Sequence, residues 1–326
     1  MGKKSFMKKI LSILFAVLIG TAFAAEISSD VFKIPISKDM VVYSIHDGDM
    51  TLPSKSFVDA LQTSSLKKLD PNQKFQASLN SFMIQYQGQN ILVDAGNHDK
   101  NNSLVKKLES IDGVKVKNIK IILVTHVHPD HIGGLYDEKG EPCFPNAVIY
   151  MSHEEWKHVS SLPEKQIDDS TKKFLSAYRG KIRPMNSGEP VGYGIILAAY
   201  YGHTAGHSVF KVGKIRFAGD IVHAEELQFK YPEYCASFDA NKKEAVRSRL
   251  LFFKQAVADG TTVFAAHIPF PGVGTIVQPD KQKDSFQFVP MFEKKNASAK
   301  TTDEKNLKNG KEAKNLKEAD NKDSKK

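Results

Sequence analysis

The sequence predicts an α/β protein whose sheets pack face to face, with helices covering the outside. Three observations carry that expectation. Short apolar runs of strand length recur along the chain, pairs of them flank tight polar turns, and a few helical stretches lie between them.

In chain order, the region from Val41 to Val93 is rich in strand signals. Within it, Ser81–Tyr86 and Asn90–Val93 flank Gln87-Gly88-Gln89 and read as a hairpin. Asn102–Ser110 reads as a helix with Leu104, Val105 and Leu108 on one face. Ile119–Val124 is a continuous apolar run and reads as a buried strand. Ala147–Met151 and Ile195–Tyr200 read as strands, with polar and helical material between them. Val209–Val212 and Ile215–Ala218 form a second hairpin around Gly213-Lys214. Lys242–Ala258 is an amphipathic helix carrying Ala245, Leu250, Phe253 and Val257, and Thr262–Ala266 is a last buried strand.

The two ends have a different character. Lys3, Lys4, Lys8 and Lys9 precede an apolar run from Ile10 to Ile19, and Ala22-Phe23-Ala24 is a small-residue cleavage pattern. Residues 1–24 therefore read as a secretory signal removed after Ala24. Its apolar run is too short to span roughly 30 Å of hydrocarbon comfortably, so no stable membrane insertion is expected after cleavage. Residues 293–326 carry only Leu307 and Leu316 as large apolar residues and are expected to be a disordered, Lys-rich tail. Eleven lysines against seven acidic residues give this tail a balance of +4, and four lysines give the signal another +4. Of the formal net charge of +9, only +1 is left for 25–292, so the basic pI is no sign of nucleic-acid binding. The central segment, roughly 265 residues, fits one domain. Cys143 and Cys235 are the only cysteines. The oxidising periplasm or exterior that export implies would let them form one disulfide, and neither has a pair spacing suited to zinc.

The chemistry is concentrated in His126-Val127-His128-Pro129-Asp130-His131, directly after the run Ile119–Val124. Four candidate ligands within six residues at a strand end exceed what a polar loop with incidental histidines would supply. Imidazole and carboxylate suit zinc and neighbouring transition metals. His126 and His128 point the same way, whereas Asp130 and His131 lie past the bend at Pro129 and can reach a second ion.

This pattern resembles the metallo-β-lactamase superfamily, and the later motifs of that family follow in order: Asp94 and Gly96, then Gly202-His203-Thr204-Ala205-Gly206-His207, then Phe217-Ala218-Gly219-Asp220, then Ala266-His267. The resemblance covers about residues 80–275 and implies a four-layer αββα sandwich. It implies one metal on His126, His128 and His203, a second on Asp130, His131 and His267, and Asp220 shared between them. Asp94 would support the metal loop without ligating. Two cations about 3.5–4 Å apart can hold a bridging water, lower its pKa and clamp attacking and leaving oxygens. The implied cofactor is two divalent ions, zinc foremost, with Mn, Co or Fe accepted by the same ligands.

Asp220-Ile221-Val222-His223, Gln228-Phe229-Lys230-Tyr231-Pro232 and His267-Ile268-Pro269-Phe270-Pro271-Gly272 resemble the branch containing methyl parathion hydrolase and related secreted lactonase-like enzymes. The zinc β-lactamases with a cysteine ligand carry it near the position that is Asp220 here, and His131 stands where those enzymes often have a non-ligand. Both departures point away from that type. The expected function is a periplasmic or secreted hydrolase that turns a metal-bound hydroxide on a lactone, ester or phosphotriester, with small molecules as its partners. Asp130, Asp220 and His223 are its catalytic candidates: Asp220 for positioning the nucleophile and passing a proton, His223 for a substrate or oxyanion contact or a structural role. Rival readings are a mononuclear-iron sulfur dioxygenase or a thioesterase like glyoxalase II, a β-lactamase, and a non-catalytic envelope protein that keeps metals for folding. His207 is expected behind the ligands, and His46, His98, His153 and His158 in solvated or locally satisfied positions. Trp156 and Phe270 are candidates for an apolar leaving-group pocket or for core, while Lys230 and Arg247 stay unplaced as contacts for a substrate carboxylate.

Overall fold

A computed structural model of the chain describes residues 25–60, 70–101, 103–279 and 284–292. The expected signal (1–24) and tail (293–326) lie outside these residues. The first strands are β1 (Ala25–Ser28), β2 (Val31–Ser37), β3 (Met40–Pro53), β4 (Phe57–Asp59), β5 (Lys74–Tyr86), β6 (Gln89–Val93), β7 (Ile121–Leu123), β8 (Val148–Ser152) and β9 (Ile182–Met185). All but β4 form an eight-stranded sheet in the order β1-β2-β3-β5-β6-β7-β8-β9. The remaining strands are β10 (Pro190–Gly192), β11 (Ile195–Ala199), β12 (Ser208–Val212), β13 (Ile215–Phe217), β14 (Tyr234–Ala236), β15 (Thr262–Phe264), β16 (Val273–Val277) and β17 (Gln287–Pro290). They build a seven-stranded sheet, order β10-β11-β12-β13-β15-β16-β17, while β14 pairs with β4.

The sheets face one another through aromatic rings. Phe82 of β5 meets Phe217 of β13 at 5.7 Å and Phe264 of β15 at 5.4 Å between ring centroids. All three are buried, each worth about 1.5–3 kcal/mol of removed apolar surface. Alternation along β6 sends Leu92 the other way, into a cluster with Ile122, Leu104, Leu108 and Phe174. Leu104 and Leu108 come from helix α1 (Ser103–Glu109). Beyond the short α2 (Pro129–Ile132) and α3 (His153–Ser161), helix α4 (Asp169–Ala177) supplies Phe174. On the other sheet's outer face, Val209, Val263 and Ile276 pack with Phe252 and Phe253. After the short α5 (Glu225–Gln228), those two residues come from α6 (Lys242–Asp259). Helices therefore cover both sheets, giving the expected four-layer αββα sandwich.

Several expectations need correction. Thr262–Ala266 is not the last strand: β16 and β17 follow it and extend the second sheet. The buried face of α6 is Ala245, Val246, Arg249, Phe252, Phe253 and Ala256, with Leu250 and Val257 only partly buried. Its N-terminus is capped by Asn241, whose side chain accepts from Glu244 N, and it ends on Gly260 in the left-handed region. Cys143 and Cys235 are both free thiols, so no disulfide joins them. Burial raises the pKa of each to about 11. Among the described residues no helix is long and apolar enough to cross a membrane.

Candidate metal centre

Strand direction gathers the site. β6 and β7 run parallel with Val93 opposite Leu123, so Asp94 and His126 leave the sheet at the same edge. β13 and β15 are likewise parallel, with Phe217 opposite Phe264, which places Asp220 and His267 side by side just beyond. β12 is antiparallel to β13, so the loop before it, carrying His203, returns to that edge. The sheets are tied there by Ser208, whose N–H donates to Thr125 O at 3.0 Å.

The predicted ligand positions converge. His126, His128, His203 and Asp220 form one group of donor atoms and Asp130, His131 and His267 another, each group within 4.8 Å. His128 Nδ1 lies 3.0 Å from both His126 Nε2 and His203 Nε2. Asp220 spans the groups: its Oδ1 is 3.0 Å from His131 Nε2, and its Oδ2 is 3.1 Å from His203 Nε2 and 3.2 Å from His267 Nε2. Asp130 and His128 are the partly exposed members, and Asp130 Oδ2 lies 3.5 Å from His267 Nε2.

The outer nitrogens of four rings are anchored, which fixes each ring's orientation and aims each inner Nε2 at the centre. Thr125 Oγ1 donates to Asp94 Oδ2 at 2.8 Å and therefore accepts from His126 Nδ1 at 3.0 Å. His131 Nδ1 donates to Asp94 Oδ2 at 2.9 Å, His203 Nδ1 to Asp239 Oδ1 at 2.7 Å, and His267 Nδ1 to Ser78 O at 3.2 Å. His131 Nε2 and Asp220 Oδ1 are buried and, though 3.0 Å apart, make no hydrogen bond among the described residues. Two buried atoms without a hydrogen-bond partner, within a set of imidazoles and carboxylates, fit a cation. Closely spaced imidazoles do not otherwise belong in a buried site.

The site's charges oppose one another. Burial resists ionising Asp220, but the imidazoles around it, His131 first, hold its pKa well below the usual carboxylate range. Burial and then His203 push His128 down to about 4. Burial also resists a charge on His203, but Asp220 and Asp239 outweigh it and raise that pKa to about 9.

The other histidines sort cleanly. His207 supports the centre from behind, donating from Nδ1 to Tyr200 O at 3.1 Å. His223 is buried, with Nε2 3.1 Å from Asp220 Oδ2 and its ring stacked on His267 at 5.2 Å. His46 pairs with Asp49, His98 stacks on Tyr136, and His153 is exposed beside Glu154. His158, expected in a solvated or locally satisfied position, lines a cavity of about 230 Å³ that opens beside His128 and His203. The apolar wall of that cavity is Val127, Val159, Leu162, Ile167 and Phe238. Trp156 does not line it and packs in the first sheet's outer core. Phe270 rests against His46 and Phe32. Lys230 borders a different cavity with Glu225 and Phe229. The sequence reading missed Asp239, Thr125, Ser78 and Phe238. None lies in a periodic pattern or a ligand spacing that would have marked it.

Fold and centre together define a metal-dependent hydrolase. The sequence pattern described as "Metallo-beta-lactamase superfamily" matches residues 77–267, more than half of the chain, and the chain belongs to that superfamily. Among solved structures it is similar to the hydrolase AbOPH of the β-lactamase superfamily: 26% identity, TM-score 0.67, covering 82% of this chain and 99% of that one. It is also similar to AidC, a dizinc quorum-quenching lactonase solved with the product N-hexanoyl-L-homoserine: 24% identity, TM-score 0.69, covering 80% of this chain and 97% of that one. A probable metal-dependent hydrolase from Staphylococcus aureus shares the fold at 17% identity and TM-score 0.60, covering 77% and 97% of the two chains. No curated protein matches the sequence.

Proposed function

We propose that this chain is an exported hydrolase holding two divalent ions, zinc foremost, and that it opens lactones or cleaves esters or phosphotriesters carrying an apolar group. One observation carries the reading: the shared carboxylate of Asp220 lies 3.0–3.2 Å from imidazole nitrogens of both donor groups. His126, His128 and His203 would hold one ion, Asp130, His131 and His267 the other, with Asp220 common to both. When bound, the ions supply the Lewis acidity that lets water attack at neutral pH and that offsets charge on the departing oxygen.

The chain's own groups do the rest. Asp220, kept anionic by the imidazoles around it, orients the attacking water and carries its proton toward the leaving group. His223 Nε2 faces Asp220 Oδ2 and orients that carboxylate, while its ring edge meets Phe238 at 5.2 Å next to the substrate space. Asp130, partly exposed, would meet the incoming water. The apolar wall from Val127 to Phe238 would take the substrate's apolar part. The same lining holds no lysine or arginine to pair with a β-lactam carboxylate. AidC's lactonase activity, with N-hexanoyl-L-homoserine as its bound product, and the hydrolase character of AbOPH support the substrate class. Export rests on the 1–24 signal pattern, with 25–292 as the catalytic domain and 293–326 as a solvated tail.

A panel of aryl ester, acyl-homoserine lactone, aryl phosphotriester, thioester and β-lactam tests the reading. The best ester, lactone or phosphotriester should exceed the best β-lactam by at least about tenfold in kcat/KM, or about 1.4 kcal/mol of transition-state stabilisation. Efficient β-lactam turnover with none on the other substrates would overturn it.

A further inference from the structure

We propose that Glu155 is a positioning residue for the first metal group, a single buried carboxylate that clamps the two loops carrying His126, His128 and His203. This rests on the two-ion reading above. Glu155 lies in the first turn of α3, outside every ligand motif, and is only 1% exposed. Its Oε1 accepts the backbone N–H of Val127 at 2.8 Å, the residue between His126 and His128. Its Oε2 accepts Thr204 Oγ1 at 2.7 Å and the backbone N–H of Gly206 at 2.8 Å, on either side of Ala205 in the loop that begins with His203.

A buried carboxylate with three donors and, among the described residues, no basic side chain paired with it is organised around those donors. The three come from two loops that nothing in local sequence joins, one 28 residues away and the other 49 to 51. The contact is also steric. A Cβ on Gly206 would fall 2.0 Å from Glu155 N and 2.5 Å from Glu155 Cα, so the His203 loop is pressed onto the start of α3 and needs glycine there. The clamp therefore sets the gap between His128 Nδ1 and His203 Nε2, now 3.0 Å. The second group does not depend on it: His131 is held by Asp94, and His267 by Ser78.

A neutral amide cannot replace this carboxylate. It has one acceptor oxygen, and its NH₂ would face either Val127 N–H or Gly206 N–H, which cannot turn round to accept. The test is a zinc titration of the metal-stripped full chain against a chromophoric chelator, comparing wild type with E155Q, E155A and T204V. Groups that orient ligands are typically worth about 10–100-fold in metal affinity. E155Q and E155A should weaken one of the two zinc ions by that factor, leaving the other ion's affinity and the far-UV circular dichroism unchanged. T204V, which removes one donor, should move the same ion in the same direction by less.

Both ions binding E155Q and E155A as they bind wild type, with only the melting temperature lowered, would overturn the proposal. Equal weakening of both ions would overturn it too. Should the Glu155 variants fail to fold, T204V decides, since unchanged affinity for both ions there removes the clamp. Failure of the two-ion reading is a separate outcome, visible in the wild type as fewer than two zinc sites.

Discussion

The backbone N–H of Asp220 donates to Nε2 of His207 at 2.9 Å. The other nitrogen of His207 donates to Tyr200 O, so the ring is neutral and in one tautomer. Burial, reinforced by His203, lowers its pKa to about 3. Gly219, just before Asp220, has φ +52°, and a Cβ there would fall 2.7 Å from His207 Nε2. The imidazole and the glycine thus set the backbone from which the shared carboxylate projects.

Replacing His207 by Ala strands a buried N–H and leaves a cavity. Unfolding measured with metal at saturation should show a loss of about 2–3 kcal/mol. H207Q keeps an acceptor and should lose less. The pH dependence has a definite sign. The folded pKa is depressed below the ordinary 6.5, so the unfolded ring takes up a proton first as pH falls. The stability His207 contributes is full above about 6.5 and is lost progressively toward about 3, so the gap between wild type and H207Q should narrow over that range. A gap independent of pH would contradict the neutral-ring assignment.

Metal uptake should release protons. Burial disfavours a charged His203, but Asp220 and Asp239 raise its pKa to about 9, so the metal-free ring is protonated at neutral pH. An ion must displace that proton to reach Nε2. Affinity should therefore rise as pH increases toward 9. Calorimetry in buffers of different ionisation enthalpy should register net proton release at neutral pH, and zero release would contradict the charge state.

The two groups should respond differently to substitution. Asp220→Ala removes the oxygens shared by both, so it should weaken both ions and lower kcat/KM by on the order of 10³ or more. His267→Ala touches only the second group and should chiefly deplete one ion. Metal analysis of the two variants separates these outcomes, and equal depletion in both would argue against a shared Asp220.

The candidate centre was legible in sequence because its imidazoles and carboxylates follow strand ends in compact spacings. His126 to His131 comes after β7, Asp220 after β13 and His267 after β15, and parallel pairing turns that linear order into a cluster. The supporting groups were not legible. Asp239 reaches His203 across 36 residues and Glu155 reaches Gly206 across 51, and nothing local marks either carboxylate. In the fold, the buried runs betrayed their strands, but β16 contains Gly274 and β17 ends in Pro290, which blunted the apolar alternation. The face of α6 was misread because Arg249 lies in it. That fully buried side chain donates to the carbonyls of Ile221, Pro232 and Tyr234, a role no hydrophobic pattern reveals.

Phe238 is half exposed although it borders a buried centre, its ring 6.0 Å from His203. A large apolar ring left open beside the cavity is suited to a substrate's apolar part. F238A should raise KM for a long-chain acyl lactone by about tenfold, with a much smaller effect on a short-chain one. Equal loss on both would assign the ring to packing alone.

Elemental analysis of the native protein, purified without chelator, counts the ions that the donor groups hold. Close to two divalent transition-metal ions per chain should be found, with zinc as the main element. A single tightly bound iron per chain, with activity that needs oxygen, would contradict the two-ion reading and move the function to oxidation on the same fold.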